Sequence, residues 1–143
     1  MVIEYIGHSC VLIKNNGLNF IIDPFITGNP VSEKKLKDLE KIDYIFITHG
    51  HTDHYGDTEK IYAEFNSKII CNYEIAAFLS YKNINNVHPM HIGGSYKFEF
   101  GKVKMTQALH GSSAIENNQI IYLGNPCGFL INFNGIKIYH AGD

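Results

Sequence analysis

Apolar residues in the first third of the chain fall in short runs separated by turn-forming residues, a spacing that predicts strands. The runs are Val2 to Ile6, Cys10 to Lys14 and Leu18 to Ile22, and Asn15-Asn16-Gly17 turns the second into the third. Asp23-Pro24 ends the third run. After a loop containing Gly28 and Pro30, Ser32 is placed to cap a short surface helix through Glu40, with Leu36 and Leu39 as its narrow apolar face. Asp43-Tyr44-Ile45-Phe46-Ile47 is an unbroken run of strand length, the pattern of a strand covered on both faces, and it stops at Thr48-His49.

Downstream the pattern alternates between helix and strand before becoming mostly β. Thr58 to Phe65 and Tyr73 to Lys82 read as helices, the second capped by Asn72, with Lys68 to Cys71 as a strand between them. Tyr96 to Phe100 and Lys102 to Leu109 flank Gly101, and Cys127 to Phe133 and Ile136 to Tyr139 flank Asn134-Gly135, a strong hairpin signal. Residues 111–126 are expected to form a long loop. The fold class expected is α+β, with helices covering a sheet, and at 143 residues the chain suits one domain spanning 1–143.

Composition narrows the function classes. Only 18% of residues are charged and the net charge is -2, so bulk electrostatics give no reason to expect capture of nucleic acid or of a membrane surface. All twelve basic residues are lysines, which removes the planar fork that bidentate recognition of bases or phosphates relies on. Cys10, Cys71 and Cys127 are odd in number, widely spaced and set in apolar runs, and read as reduced core residues. The first six residues lack a basic lead and a long apolar stretch, and no run approaches a membrane span, so a cytoplasmic location is expected.

The chemistry concentrates in Thr48-His49-Gly50-His51-Thr52-Asp53-His54, directly after the apolar strand. In extended backbone alternate residues point the same way, so His49, His51 and Asp53 can share a side while His54 opens the next turn. A His-X-His-X-Asp-His match arises by chance on the order of once in a thousand sequences of this composition, which favours a metal site over a histidine-rich surface loop. His110 follows the strand ending at Leu109, and His140 and Asp143 follow the strand ending at Tyr139, so candidate ligands recur at strand ends. Asp23 belongs to the same set, either as a carboxylate orienting an imidazole or as a cap on the turn before Pro24. Ser112 and Ser113 read as solvated loop serines, and His88 as structural.

At these residues the chain resembles the metallo-β-lactamase superfamily. Gly7-His8-Ser9-Cys10, Asp23-Pro24-Phe25, Thr48-His49-Gly50-His51 and Tyr139-His140-Ala141-Gly142-Asp143 are similar to a branch of metal-dependent hydrolases related to the ascorbate-phosphate lactonases. The resemblance implies an αββα sandwich with the metals at one edge between two sheets. It also implies that His49, His51 and His110 hold a first metal, that Asp53 and His54 hold a second, and that Asp143 bridges them. A Zn²⁺ pair is the expected filling, with Mn²⁺ or Fe compatible with the same donors.

The pattern of the family includes a further histidine after the bridging aspartate, and this sequence stops at Asp143. The chain is therefore expected to be the N-terminal portion of the sandwich, with a second site short of one ligand and about one metal bound per chain. Exposed apolar sheet surface and an unpaired edge would then favour association with the missing half or with another copy. The reaction implied is hydrolysis of an ester, lactone or phosphodiester-type small molecule by a metal-bound hydroxide. Asp53 would orient the water, and His8 or His140 would contact substrate or protonate the leaving group. The alternatives are a metal-binding fragment without turnover and a di-iron oxidoreductase-type site.

Overall fold

In the computed structural model, which describes all of residues 1–143, the first runs form an antiparallel meander of β1 (Val2–Gly7), β2 (Cys10–Asn15) and β3 (Leu18–Ile22). Asn16 and Gly17 both have positive φ, 50° and 79°, the pair that a two-residue hairpin of matching twist requires. The chain then switches to parallel pairing: β4 (Tyr44–Phe46), β5 (Lys68–Asn72) and β6 (Val87–Met90) follow β3 in order, completing a six-stranded sheet. Helices α1 (Thr52–Tyr55), α2 (Thr58–Phe65) and α3 (Tyr73–Tyr81) lie in the connections. Asn72 caps α3 by accepting from the Ile75 N–H at 2.8 Å.

A second, antiparallel sheet has the order β12-β11-β8-β7, built from β7 (Ser95–Phe98), β8 (Gly101–Gln107), β11 (Cys127–Phe133) and β12 (Ile136–His140). The continuous apolar runs of β3, β4 and β5 now have a cause, because each strand feeds two cores. Ile21, Ile45, Ile69 and Cys71 face Ile61 of α2 and Ile75 and Leu79 of α3. Phe20, Ile22, Tyr44, Phe46 and Ile70 face Val103, Met105, Cys127, Phe129 and Ile131 of the second sheet. Edge-to-face rings knit this inter-sheet layer, with Phe20 against Phe100 and Phe133 at 4.8 and 5.0 Å and Phe46 against Phe129 at 5.1 Å. Such pairs add about 0.5–1.5 kcal/mol each beyond area burial. On β8, Lys102 and Lys104 alternate outward with the buried Val103 and Met105. The layers within residues 1–143 are thus helix, sheet, sheet, three of the four expected of the sandwich. All three cysteines are free and buried, and no helix is long and apolar enough to cross a membrane.

Three local expectations change. The helix expected from Ser32 to Glu40 is reduced to one 3₁₀ turn at Leu36–Asp38, because the Ser32 hydroxyl donates to the Lys34 carbonyl and no helical ladder starts there. The segment expected as a long loop contains a hairpin, β9 (Ser113–Glu116) and β10 (Gln119–Tyr122), turned by Asn117 and Asn118 with φ of 51° and 60°. An unforeseen strand, β6, carries Pro89 at the sheet edge, where a missing N–H is tolerated.

Strand direction sets where the loops gather. β1, β3 and β4 run the same way in the first sheet, as do β8 and β12 in the second. Two hydrogen bonds to one carbonyl join the sheets at the rim beyond β4: the Cys127 N–H donates to the Thr48 carbonyl at 3.0 Å, and the Cys127 thiol donates to the same oxygen at 3.2 Å.

Asp57, just before α2, anchors the loop after β3 to the helical side. Its carboxylate accepts from the N–H groups of Ile26 and Thr27 at 3.2 and 2.7 Å and pairs with Lys60 at 2.8 Å, while the residue is only 3% exposed. Burial alone would raise its pKa, but the Lys60 and Thr27 hydrogen bonds outweigh it and hold the carboxyl below its ordinary 3.8. Its contribution to stability is therefore full above that value and is lost as pH falls through the lower folded value. Asp57→Ala strands two backbone donors and should lower unfolding free energy by about 2–4 kcal/mol at neutral pH. Urea denaturation checks this, and the difference from the unsubstituted chain should narrow in acid.

Candidate metal centre

The motif leaves the sheet as extended backbone and turns into a helix after three residues. Thr48 is fully buried at the end of the β4 run, and His51 is the N-cap of α1 with φ -64° and ψ 148°. That path aims His49 and His51 the same way and brings His54 back beneath them on the short helix. Gly50 matters for space and not for an unusual φ: an added Cβ would lie 2.5 Å from the Leu123 side chain. Its N–H donates to the Ser112 hydroxyl at 3.1 Å, and that hydroxyl donates to the Leu123 carbonyl at 3.2 Å. Ser112 is therefore a buried strut of the motif, not the solvated loop serine expected.

His49, His51 and His110 converge. His49 Nε2 lies 3.1 Å from His51 Nδ1, and His110 Nε2 lies 3.2 Å from the same nitrogen. A tetrahedral ion with nitrogen ligands at 2.0–2.1 Å has ligand-to-ligand edges of roughly 3.3–3.4 Å, close to the two separations at His51, and the ligating atoms of all three lie within 4.8 Å of one another. Beside them His8, His54 and Asp143 present a second group whose ligating atoms lie within 4.8 Å of one another. Asp143 Oδ2 is 3.3 Å from His54 Nε2 and 3.6 Å from His110 Nε2, between the two groups. The His49 and His54 rings are only 3.9 Å apart between centroids.

One buried carboxylate orients both groups. Asp23, fully buried with φ 46°, accepts from the Thr48 N–H at 2.8 Å, the Thr48 hydroxyl at 2.7 Å and His54 Nδ1 at 2.8 Å. Because the Thr48 hydroxyl donates to Asp23, it accepts from His49 Nδ1, 2.9 Å away. Assigned from this network, both imidazoles carry their proton on Nδ1 and aim a bare Nε2 into the clusters. His54 Nε2 is fully buried without a hydrogen-bond partner, which is costly unless a cation meets it. Burial, and then the neighbouring His54, push the His49 pKa down to about 4, so the ring is neutral and its lone pair free at pH 7. Burial pulls His54 down as well, but the Asp23 hydrogen bond and charge outweigh it and the net shift is upward. Asp143 is held below the ordinary carboxylate range, since the surrounding His54, His110 and His49 outweigh its partial burial. Five imidazoles and a carboxylate, set in two groups of which the second holds the orphaned His54 nitrogen, fit a pair of first-row divalent ions.

The remaining candidates are placed differently. Asp53 is not in either group; its carboxylate, 44% exposed, stands 3.4 Å from His8 Nε2. His140 is turned away from the clusters: its Nε2 meets the Ser9 carbonyl at 2.8 Å and its Nδ1 accepts from the Gly142 N–H at 3.2 Å. Its Nε2–H is thus given to a backbone carbonyl and its Nδ1 lone pair to a backbone N–H, and neither nitrogen belongs to the two groups. His88 packs against Tyr96 at 4.1 Å with the rings tilted by 48°, and burial lowers its pKa, in keeping with a structural role. Thr48, the relay between Asp23 and His49, carried no signal beyond its place before the first histidine. Beside His110 lies a hollow of about 400 Å³ bounded by Ile92, Gln107, Leu109, Asn125 and Pro126.

Comparison with known proteins gives a consistent family. The model of the β-lactamase superfamily domain matches residues 18–143. A UPF0173 metal-dependent hydrolase of Anoxybacillus flavithermus is 51% identical over the whole of this chain, which spans 63% of that relative's length. A homologue of the same name from a Geobacillus species is also 51% identical with the same coverage. Among solved structures, a metallo hydrolase of the archaeon Ignicoccus hospitalis superposes with a TM-score of 0.85 at 33% identity, covering 99% of this chain and 60% of that one. A diiron β-hydroxylase of Streptomyces venezuelae shares the fold at a TM-score of 0.75 and 22% identity, covering 97% of this chain and 28% of its own.

Asp23→Asn keeps the shape but replaces an acceptor with a competing donor, so at least one of the bonds from Thr48 and His54 is lost. Zn²⁺ affinity, read by competition with a chromophoric chelator, should fall about 10–100-fold while far-UV circular dichroism stays unchanged.

Proposed function

The chain belongs to the β-lactamase superfamily, and we propose that it carries the metal centre of a metal-dependent hydrolase acting on an ester, lactone or phosphodiester-type substrate. The observation that carries this reading is the convergence of His49, His51 and His110 at 3.1–3.2 Å with Asp143 shared toward His54. In this reading His49, His51 and His110 would hold one metal, His54 and Asp53 would serve the other, and Asp143 would be available to both. Zn²⁺ is the proposed filling; Mn²⁺ and Fe accept the same donors. When bound, the metals lower the pKa of a coordinated water to about 7 and polarise the oxygen under attack.

The chain's own groups supply geometry and proton handling. Asp23 fixes the tautomer of His54 directly and that of His49 through the Thr48 hydroxyl, so the ligand nitrogens would meet a metal without reorganising. Asp53, its carboxylate 44% exposed and 3.4 Å from His8 Nε2, would orient the attacking water. His140 positions the loops around it through Ser9 and Gly142. The hollow beside His110 has no charged wall, which supports a substrate whose non-reacting part is uncharged. With no arginine in the chain, charge developing on a phosphoryl or carbonyl oxygen would be met by the metals. Exposed Val2, Ile3 and Tyr5 on edge strand β1, and Ile136 and Tyr139 on edge strand β12, support the expected association through sheet edges.

The reading is tested with p-nitrophenyl esters, simple lactones and bis-p-nitrophenyl phosphate. Turnover of at least one should vanish with a chelator and return with Zn²⁺ or Mn²⁺, and His110→Ala should lower kcat by about a thousandfold or more. Tight metal binding without turnover of any of them would favour a metal-binding chain that is not itself a hydrolase.

A further inference from the structure

His8 is an exposed residue whose ring meets Phe25 edge-on at 5.9 Å on one side and His54 on the other. It sits between β1 and β2 with φ 57°, a left-handed conformation that costs a residue with a Cβ and is found disproportionately where function demands it. Gly7 beside it, at φ 135°, has no room for a side chain, because an added Cβ would come within 2.6 Å of Val31. The pairing of β1 with β2 shifts register between Tyr5 and Gly7, so the turn is re-aimed just before His8. The result is an imidazole edge-on to His54 at 4.8 Å, with a ligating nitrogen within 4.8 Å of both His54 and Asp143.

The support around it ties two donors together. His140 bonds the Ser9 carbonyl through one nitrogen and the Gly142 N–H through the other, joining the turn that bears His8 to the segment that bears Asp143. A residue meant only to brush substrate has no need for its loop to be fastened to the neighbouring carboxylate. We infer that His8 is a ligand of the second metal, alongside His54 and Asp143, in place of the substrate-contact or proton-donor role expected from the sequence. The donor set is then two imidazoles and a carboxylate, the number of protein ligands that leaves a position open for water or substrate. Asp53, 3.4 Å from His8 Nε2, lies next to this group. With Asp143 shared, the chain therefore supplies at least three donors to each site and binds two metals, not the one expected from its sequence.

The inference rests on the reading of the rim as a metal centre, and zinc stoichiometry separates the two. Equilibrium dialysis of the 143-residue chain followed by elemental analysis should give two Zn²⁺ per chain. His8→Gly and His8→Asn, both compatible with the left-handed backbone, should give one, with first-site affinity and thermal unfolding of the metal-free chain unchanged. His91→Ala, a surface histidine stacked on Tyr73, should still give two. Cobalt substitution should show the visible absorption of the second site lost in the His8 variants. Two Zn²⁺ retained at unchanged affinity in His8→Gly, or one Zn²⁺ in the unsubstituted chain, overturns the role of His8 and leaves the metal centre standing; no Zn²⁺ in the unsubstituted chain overturns both.

Discussion

Asp23 is the interaction on which the rest of the rim depends. A carboxylate with no solvent exposure is costly unless every oxygen is used, and here three donors use it: the Thr48 N–H, the Thr48 hydroxyl and His54 Nδ1. In satisfying itself it closes the backbone between β3 and the motif. It also decides which nitrogen of His54 is bare and, through the Thr48 hydroxyl, which nitrogen of His49 is bare. The left-handed φ of Asp23 and the Pro24 that follows let the chain turn away once the carboxylate is in place.

What surrounds Asp23 is collected by strand direction. The ends of β3, β4, β8 and β12 and the turn after β1 all reach one rim because those strands run in common directions within the two sheets. The double-sided packing of Phe20, Ile21, Phe46 and Ile45 makes the strands rigid, so loops leaving them are held to a fixed geometry. Cys127, donating to the Thr48 carbonyl, sets the distance between the sheets at the point where His49 and Asp143 must meet. The candidate metal centre is therefore a property of the two packed sheets and not of the histidine motif alone.

Much of this was legible in sequence where a feature is local. The unbroken run at Tyr44 to Phe46, the cap at Asn72 and the hairpin at Asn134-Gly135 each express a backbone requirement through adjacent residues, and each is present. The cluster at His49 to His54 was legible because its spacing is dense. Less legible was whatever depends on distant segments. Ser112 bridges Gly50 to Leu123, His140 fastens Ser9, and His8 turns onto His54, contacts separated by up to 131 residues that leave no periodicity. The Asn117-Asn118 turn carried a hairpin signal that was hidden by the weak alternation of its short flanking strands.

The central claim is that this rim gathers donors into two adjoining metal positions sharing Asp143. It is tested most directly by anomalous diffraction at the zinc edge from crystals of the chain equilibrated with Zn²⁺. Two peaks about 3.5–4 Å apart are expected, one among His49, His51 and His110 and one beside His54, with Asp143 between them. No peak at the rim, or zinc bound only elsewhere on the surface, would contradict the account.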